Sequence, residues 1–341
     1  MNQTVFPAEW HPQSAIQLTW PHEGTDWAPT LDEVIPCFVA IAGEVMKREK
    51  VLIVCPDEAG VRRQLGALAN DSRICFREME TNDTWARDHG GITVFADGVP
   101  TVYDFVFNGW GMKFAAHHDN LITRRLFRSG TFASDVEVVN MQPFVLEGGS
   151  IESDGQGTLL ATVECLGSVN RNEYLNQPQL EYHLKDFFGA ERILWLKNGY
   201  LAGDDTDSHI DTLARFCDEN TIAYVQCTDP ADEHFFELQA MQAELQAFRT
   251  LSGYAYRLIP LPMAEPVVWN GERLPATYAN FSIINGAVLM PCYRSRLDET
   301  ARAILQKAFP DREIVGIDCL PLIKQHGSLH CVTMQYPAGI L

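Results

Sequence analysis

Basic residues are scarce in this chain of 341: 26 lysines and arginines stand against 45 aspartates and glutamates, a formal net charge of −19 at pH 7. A nucleic-acid binder needs the opposite balance and is excluded. The same charge favours the approach of a small cationic molecule. No apolar run comes near the roughly 18 residues of a membrane span. The opening Met1-Asn2-Gln3-Thr4-Val5-Phe6-Pro7 has neither the basic nor the apolar region of a secretory signal, so the expected location is cytoplasmic. Of nine cysteines no two stand at C-x-x-C spacing, which removes the zinc and redox sites built that way. Most are expected to be reduced, buried, small hydrophobes. There is no H-E-x-x-H and no H-x-E with P-C-x-x-C, so zinc proteases and zinc deaminases have no support. Nor is there a Pro/Gly/Ser linker, a low-complexity tract or a legible internal repeat, and residues 1–341 are expected to form one domain.

Strand and helix signals, by contrast, alternate from end to end, which predicts an α/β fold. Pro7 to Pro29, rich in Trp, Pro and His, reads as a packed irregular stretch. A helix is predicted from Thr30, with Thr30 as N-cap, Glu33 completing a capping box, and Val34, Phe38, Ile41 and Val45 on its apolar face. Strands are predicted at Val51 to Cys55 and, around the turn dipeptide Asp97-Gly98, at Ile92 to Phe95 and Thr101 to Phe107. Further helices are predicted at Gln177 to Phe188, Asp232 to Phe248 and Leu297 to Phe309.

Four runs concentrate titratable groups where the pattern reads as loop or strand end: Trp85-Ala86-Arg87-Asp88, Glu147-Gly148-Gly149, Gly203 through Asp211, and His326 through Thr333. In the last, Cys331 with Leu329, Val332 and Thr333 reads as a short strand led in by Gly327-Ser328. Alternation would then send His330 to the face opposite Cys331. In the third run His209 and Asp211 are two apart and share a face if the segment is a strand. Asp204, Asp205 and Asp207 read either as Asx-turn residues of a solvated loop or, with His209, as the cluster of a metal-dependent hydrolase. No frame of that run supplies the glycine and glutamate of an EF-hand. Cysteine, histidine, glutamate and aspartates together suit thiolate attack on a cationic carbon. Carboxylates grip a planar guanidinium through charge-assisted hydrogen bonds, the thiolate attacks its carbon, and a histidine serves first the leaving ammonia and then water. Carboxylates beside a thiol raise its pKa, so the bound cation or a charged histidine has to favour the thiolate.

Several motifs, in order along nearly the whole chain, carry a resemblance. They include Phe6-Pro7-Ala8-Glu9-Trp10, Asn82-Asp83-Thr84-Trp85-Ala86-Arg87-Asp88, Phe107-Asn108-Gly109-Trp110-Gly111, Glu147-Gly148-Gly149-Ser150, Asn170-Arg171-Asn172, Asp204-Asp205-Thr206-Asp207, His209-Ile210-Asp211, Tyr278-Ala279-Asn280-Phe281 and His330-Cys331-Val332-Thr333. The chain resembles the agmatine deiminases, of the bacterial peptidyl-arginine deiminase-like family within the guanidine-modifying (pentein) superfamily. The resemblance implies a five-bladed α/β propeller with a central site that converts agmatine to N-carbamoylputrescine and ammonia, in polyamine synthesis, without metal or cofactor. By the same resemblance Cys331 is the nucleophile, His209 the general acid and base, and Glu147 its carboxylate partner and a guanidinium ligand. Asp88 and Asp211 grip the guanidinium, Trp85 and Trp110 line the pocket, and the protein forms a homodimer. Deimination of free or peptidyl arginine is the alternative within this chemistry. The chain departs from the family pattern at Gln325-His326-Gly327-Ser328, where three glycines are common, and at Ser208, where a glycine precedes the histidine.

Overall fold

The last strand of the chain pairs with the second, while the first, Thr4–Val5, lies antiparallel to Ile92–Ala96 in another sheet. In the computed structural model, which describes residues 4–341, strand Met334–Pro337 runs antiparallel to Gln13–Thr19, which is followed in parallel by Lys50–Cys55 and Ile74–Glu78. Gln13–Thr19 lies inside the stretch expected to be irregular. Its side chains are buried on both faces, so the strand has no apolar alternation for a sequence reading to detect. The helix Leu31–Met46 crosses from Gln13–Thr19 to Lys50–Cys55 and buries Val34, Phe38, Ile41 and Val45, as predicted. Thr30 is its N-cap residue, but the capping box does not form: the Thr30 hydroxyl turns back to the Trp27 carbonyl at 3.4 Å.

This arrangement of an antiparallel pair, a helix and a parallel strand recurs. Ile92–Ala96 pairs with Val99–Val106 and then, past the helix Ile122–Arg128, with Glu137–Val145. Ile151–Ser153 pairs with Thr158–Thr162 and then, past Gln177–Phe188, with Arg192–Leu196. Ala214–Asp218 and Thr221–Gln226 are joined past Phe235–Ala247 by Arg257–Pro262. Ser282–Ile284 and Ala287–Cys292 are joined past Asp298–Ala308 by Glu313–Asp318. Among the described residues there are thus five sheets of three or four strands, plus the hairpin Val267–Trp269 with Glu272–Leu274. The predicted turn at Asp97-Gly98 is present, with φ of 50° and 80°, the left-handed pair a two-residue hairpin requires. No described helix is long and apolar enough to cross a membrane.

Candidate active site

Five loops, each leading into the first strand of one of the five sheets, converge on a buried centre. They carry Asp88, Glu147 with Gly149, His209 with Asp211, Asn280, and Cys331, which precede Ile92, Ile151, Ala214, Ser282 and Met334 by two to five residues.

Cys331 is not on a strand: residues 329–332 form a turn and the strand begins at Met334. The Thr333 hydroxyl donates to the Leu329 and His330 carbonyls at 3.3 and 3.0 Å and holds the backbone curled. Asn280 pins the turn from below. Its Oδ1 accepts from the backbone N–H of His330 at 2.9 Å and of Cys331 at 3.4 Å, and it faces Cys331 Sγ at 3.4 Å. Without a pleat, neighbours need not point apart, and the expected separation of His330 from Cys331 fails. His330 Nδ1 bonds Asp211 Oδ2 at 2.7 Å, and that same oxygen lies 3.9 Å from Cys331 Sγ.

His209 and Asp211 are brought together too, though not by strand periodicity: His209 precedes the 3-10 turn Ile210–Thr212. Gly149 is the common floor. A methyl group on it would stand 2.6 Å from His209 Nδ1, 2.7 Å from Asp88 Oδ1 and 3.1 Å from Asp211 Oδ2, so only glycine fits. Its own N–H donates to Asp88 Oδ1 at 3.0 Å, and Trp110 Nε1 donates to Asp88 Oδ2 at 2.9 Å. The Trp85 ring meets Trp110 edge to face at 6.5 Å and occupies the space a side chain at position 327 would need, which is why Gly327 remains glycine.

Glu147 is fully buried, and both its oxygens accept from Arg171 Nε at 3.0 Å. Arg171 also bonds Asp207 Oδ2 at 2.7 Å and the Thr206 carbonyl at 2.9 Å, tying the Glu147 loop to the aspartate run. The donor atoms of Glu147, Cys165 and His209 lie within 4.8 Å of one another, the only such group among the described residues that could hold a metal. The Arg171 cation on Glu147 opposes a metal there. In the aspartate run, Asp204 is taken up by Thr206 and Ser208, with its oxygens 3.2, 2.6 and 2.7 Å from their donors, as an Asx-turn residue. Asp207 is paired with Arg171 and Lys113. The cluster is therefore spent on loop structure, apart from Asp205, whose carboxyl burial and neighbouring Asp204 push up to about 6.

Burial pushes Asp88 up to about 6, with Asp211 and Glu147 adding to the rise and His209 restraining it. Burial also works against the Asp211 charge, but the hydrogen bond and charge of His330, then His209 and Arg215, hold that carboxyl below the ordinary range. The His209 ring is desolvated, yet Asp88, Cys165 and Asp211 raise it well above its usual value. Burial, then Asp211 and Asp88, push the Cys331 thiol well above its own. The resting centre is thus thiol and imidazolium. Asp211 Oδ1 and both His209 nitrogens are buried without a hydrogen-bond partner among the described residues. A cavity of about 290 Å³ opens onto Cys331 and Asp88 between Trp85 and Trp110, with Asp26, Asp83, Asp204, Asp205 and His326 further along its wall. Sequence reasoning singled out seven residues: Asp88, Cys331, Trp85 and Trp110 line this cavity, while His209 and Asp211 meet Asp88 around Gly149 and Glu147 lies beside His209. It missed Asn280, Arg171 and His330, although each stood in a quoted motif; for Asn280 the available signal was its place just before a strand, as with the others.

Comparison with known proteins gives the family. The profile of the Porphyromonas-type peptidyl-arginine deiminase family matches residues 5–337. A Porphyromonas gingivalis crystal structure, provisionally described as an arginine deiminase, is 57% identical with a TM-score of 0.96, over 99% of this chain and 100% of that one. A C. jejuni agmatine deiminase, crystallised as a cysteine-to-serine variant with substrate bound, is 38% identical with a TM-score of 0.93, over 100% and 98%. The agmatine deiminase of Pseudomonas aeruginosa is 31% identical across 98% of this chain and 95% of its own. At 12% identity and a TM-score of 0.51, the DDAH of Pseudomonas aeruginosa shares the fold. The chain belongs to the Porphyromonas-type peptidyl-arginine deiminase family.

Proposed function

We propose that the protein hydrolyses agmatine to N-carbamoylputrescine and ammonia through a covalent intermediate on Cys331. The observation that carries this reading is the cavity: a buried thiol and carboxylate at one end, five aspartates in all along its described wall, and no lysine or arginine. Such a wall suits a molecule with a guanidinium at one end and an ammonium at the other, and repels a carboxylate. Asp88 and Asp211 receive the guanidinium N–H groups, with the unpartnered Asp211 Oδ1 as one acceptor. The cation offsets the carboxylates that hold the thiol up, so Cys331 ionises as substrate seats, its proton passing to solvent, where it ends on the released ammonia. Sγ bonds to the guanidinium carbon, and His209 gives its proton to one amino group, which leaves as ammonia. The resulting thiouronium is attacked by water as neutral His209 takes a water proton. The C–S bond then breaks as the new hydroxyl gives its proton to sulfur, returning the Cys331 thiol, the ureido product and charged His209. Glu147, fixed by Arg171, is the carboxylate beside this histidine. We further read the five recurring units as the blades of one five-bladed propeller spanning 1–341, in a cytoplasmic enzyme of putrescine synthesis that assembles as a homodimer.

Deimination of arginine is the second reading, favoured by the family's name and the description of the Porphyromonas gingivalis relative. Ammonia release from agmatine, free arginine and a peptide ending in arginine separates the two. The expected result is a kcat/KM for agmatine at least about 10²-fold above either arginine substrate, abolished in Cys331→Ser. Equal or faster turnover of arginine overturns the substrate assignment, and turnover surviving Cys331→Ser overturns the nucleophile.

A further inference from the structure

Below Asp211 lies a buried chain of ionisable groups that the reaction as described does not use. His330 Nδ1 meets Asp211 Oδ2 at 2.7 Å, and its other nitrogen meets Glu9 Oε2 at 2.9 Å. That Glu9 oxygen is ion-paired to Arg215 Nη2, while Glu9 Oε1 accepts from the Ile283 N–H at 2.6 Å. Arg215 in turn donates to Glu152 Oε2 at 2.9 Å and to the Phe281 carbonyl at 2.5 Å. All of these side chains are buried. Carboxylates accept and do not donate, so an imidazole with a carboxylate at each nitrogen is held as a two-proton donor. A network serving only to pack the loops would not need to touch Asp211, whose Oδ2 takes the His330 bond and also lies 3.9 Å from Cys331 Sγ, while its Oδ1 is buried with no partner among the described residues.

We infer that His330 is a positioning residue for this deimination: clamped between Glu9 and Asp211, it fixes Asp211 with one oxygen occupied and the other presented to the guanidinium. The inference rests on the function proposed above. Other charges facing Asp211 are His209 on its own turn, Arg215 and Arg87 from beneath, and Asp88 and the Cys331 thiol across the centre. The short bond to the Asp211 carboxylate is that of His330, at 2.7 Å, with the Cys331 thiol a longer contact at 3.9 Å on the same oxygen. Without that donor, burial and Asp88 turn Asp211 toward its neutral form, which cannot accept two cationic N–H groups and no longer repels the thiolate.

The experiment compares His330→Ala, His330→Gln and Asp211→Asn, singly and as the His330→Ala/Asp211→Asn double variant. Two readouts are the KM and kcat for agmatine across pH 6.5 to 9, and the pH dependence of Cys331 alkylation by iodoacetamide without substrate. His330→Ala should raise KM about 10²-fold near pH 7, partly recovering toward pH 9 as Asp211 ionises unaided, and should shift the alkylation profile to lower pH. His330→Gln, which keeps one N–H for Asp211, should recover about tenfold of the loss. On the Asp211→Asn background, His330→Ala should change either readout by less than about threefold, because the two act as one unit. Multiplicative losses in the double variant, or a kcat loss that tracks melting temperature with KM unmoved, overturn the inference. The alkylation arm needs no turnover. A wild-type protein inert on every guanidine, whose alkylation profile still shifts in His330→Ala but not further in the double variant, refutes the function and leaves the positioning role standing. Should His330→Ala fail to fold, His330→Gln carries the same comparison, with an additive loss on Asp211→Asn as the refuting result.

Discussion

A single methyl group at Gly149 tests the centre most directly. Ordinary van der Waals contact at a Cβ begins at about 3.4 Å, and the methyl of Gly149→Ala would stand 2.6 Å from His209 Nδ1 and 2.7 Å from Asp88 Oδ1. The imidazole must therefore retreat by 0.8 Å (3.4 − 2.6) and the carboxylate by 0.7 Å (3.4 − 2.7), while Asp211, at 3.1 Å, needs 0.3 Å. Asp88 and Asp211 are not free to do so, being held by Trp110 and the Gly149 amide and by His330, so the strain falls on the His209 ring, whose nitrogens have no hydrogen-bond partner among the described residues to hold them. Overpacking of this kind costs about 1–3 kcal/mol of stability, which a chain of this size absorbs, whereas displacement of reacting groups by nearly 1 Å costs about 10²-fold in rate. The expected result is a protein that melts cooperatively within a few degrees of the parent, with kcat/KM for agmatine lower by about 10²-fold or more. Gly43→Ala is the control. It sits inside the helix Leu31–Met46 with Leu68 at 3.6 Å, and should gain up to about 1 kcal/mol with activity unchanged. Gly149→Ala enzyme within about threefold of the parent would refute the claim that this glycine is the floor of the site.

Two further outcomes follow from groups outside the reacting centre. Burial holds Asp83, Asp119 and Glu49 up to about 7, against roughly 4 in an unfolded chain, so the folded state binds more protons across neutral pH and loses stability as pH rises. Between pH 6.5 and 8 this amounts to about 1 kcal/mol per group, and calorimetric melting at matched ionic strength should give the higher melting temperature at pH 6.5; the reverse order refutes it. Below that window the buried His89 and half-buried His22, both held below their usual values by burial, act in the opposite sense. His326 is a non-glycine residue at φ of 67° on the cavity wall, with Nδ1 2.7 Å from the Gly203 carbonyl, which leaves Nε2 as an acceptor for the ammonium end of agmatine. His326→Gly should keep or raise the melting temperature by relieving the left-handed backbone, and raise KM for agmatine about fivefold with kcat unchanged; an unmoved KM refutes that contact.

Element types were legible where burial is one-sided. The helix Gln177–Phe188 carries its own punctuation, a capping box of Asn176 with Gln179 and a left-handed Gly189, and the sequence reading places both ends correctly. Gln13–Thr19 escaped because a central strand covered on both faces has no period to read. Cys331 escaped differently: Leu329, Val332 and Thr333 are buried, but as the plug beneath a turn held by Asn280 and Thr333, and residue preference cannot distinguish that from a strand. The error had a consequence, since strand alternation removed His330 from consideration. The same alternation placed His209 beside Asp211 correctly for the wrong reason, a 3-10 turn achieving what a pleat would have done. Arg171 was invisible in a subtler way. Its value lies in being within reach of both Glu147 and Asp207, which are 24 and 36 residues distant, and no local pattern encodes that.

The recurrence of one unit explains why site residues so far apart in sequence arrive together. Each of the five sheets begins with a strand, and the residues just before those strands are Cys331, Asp88, Gly149 with Glu147, Asp211 with His209, and Asn280. Five equivalent positions thus hold a nucleophile candidate, three acidic loops and one amide. The amide is the exception that the others require. Four carboxylates crowd this centre if Glu9 is counted beneath it, and Arg171, Arg215 and charged His330 answer all but one of them. His209, raised by Asp88, supplies the remaining charge in the resting state, and it is also the proton the leaving ammonia needs. A fifth carboxylate at position 280 would leave a negative charge that only the substrate could balance, and would push the Cys331 thiol higher still. A neutral Asn280 can accept from the His330 and Cys331 N–H groups without adding charge. Asn280→Asp is therefore the more damaging change at that position than Asn280→Ser, even though the carboxylate is the closer copy in shape.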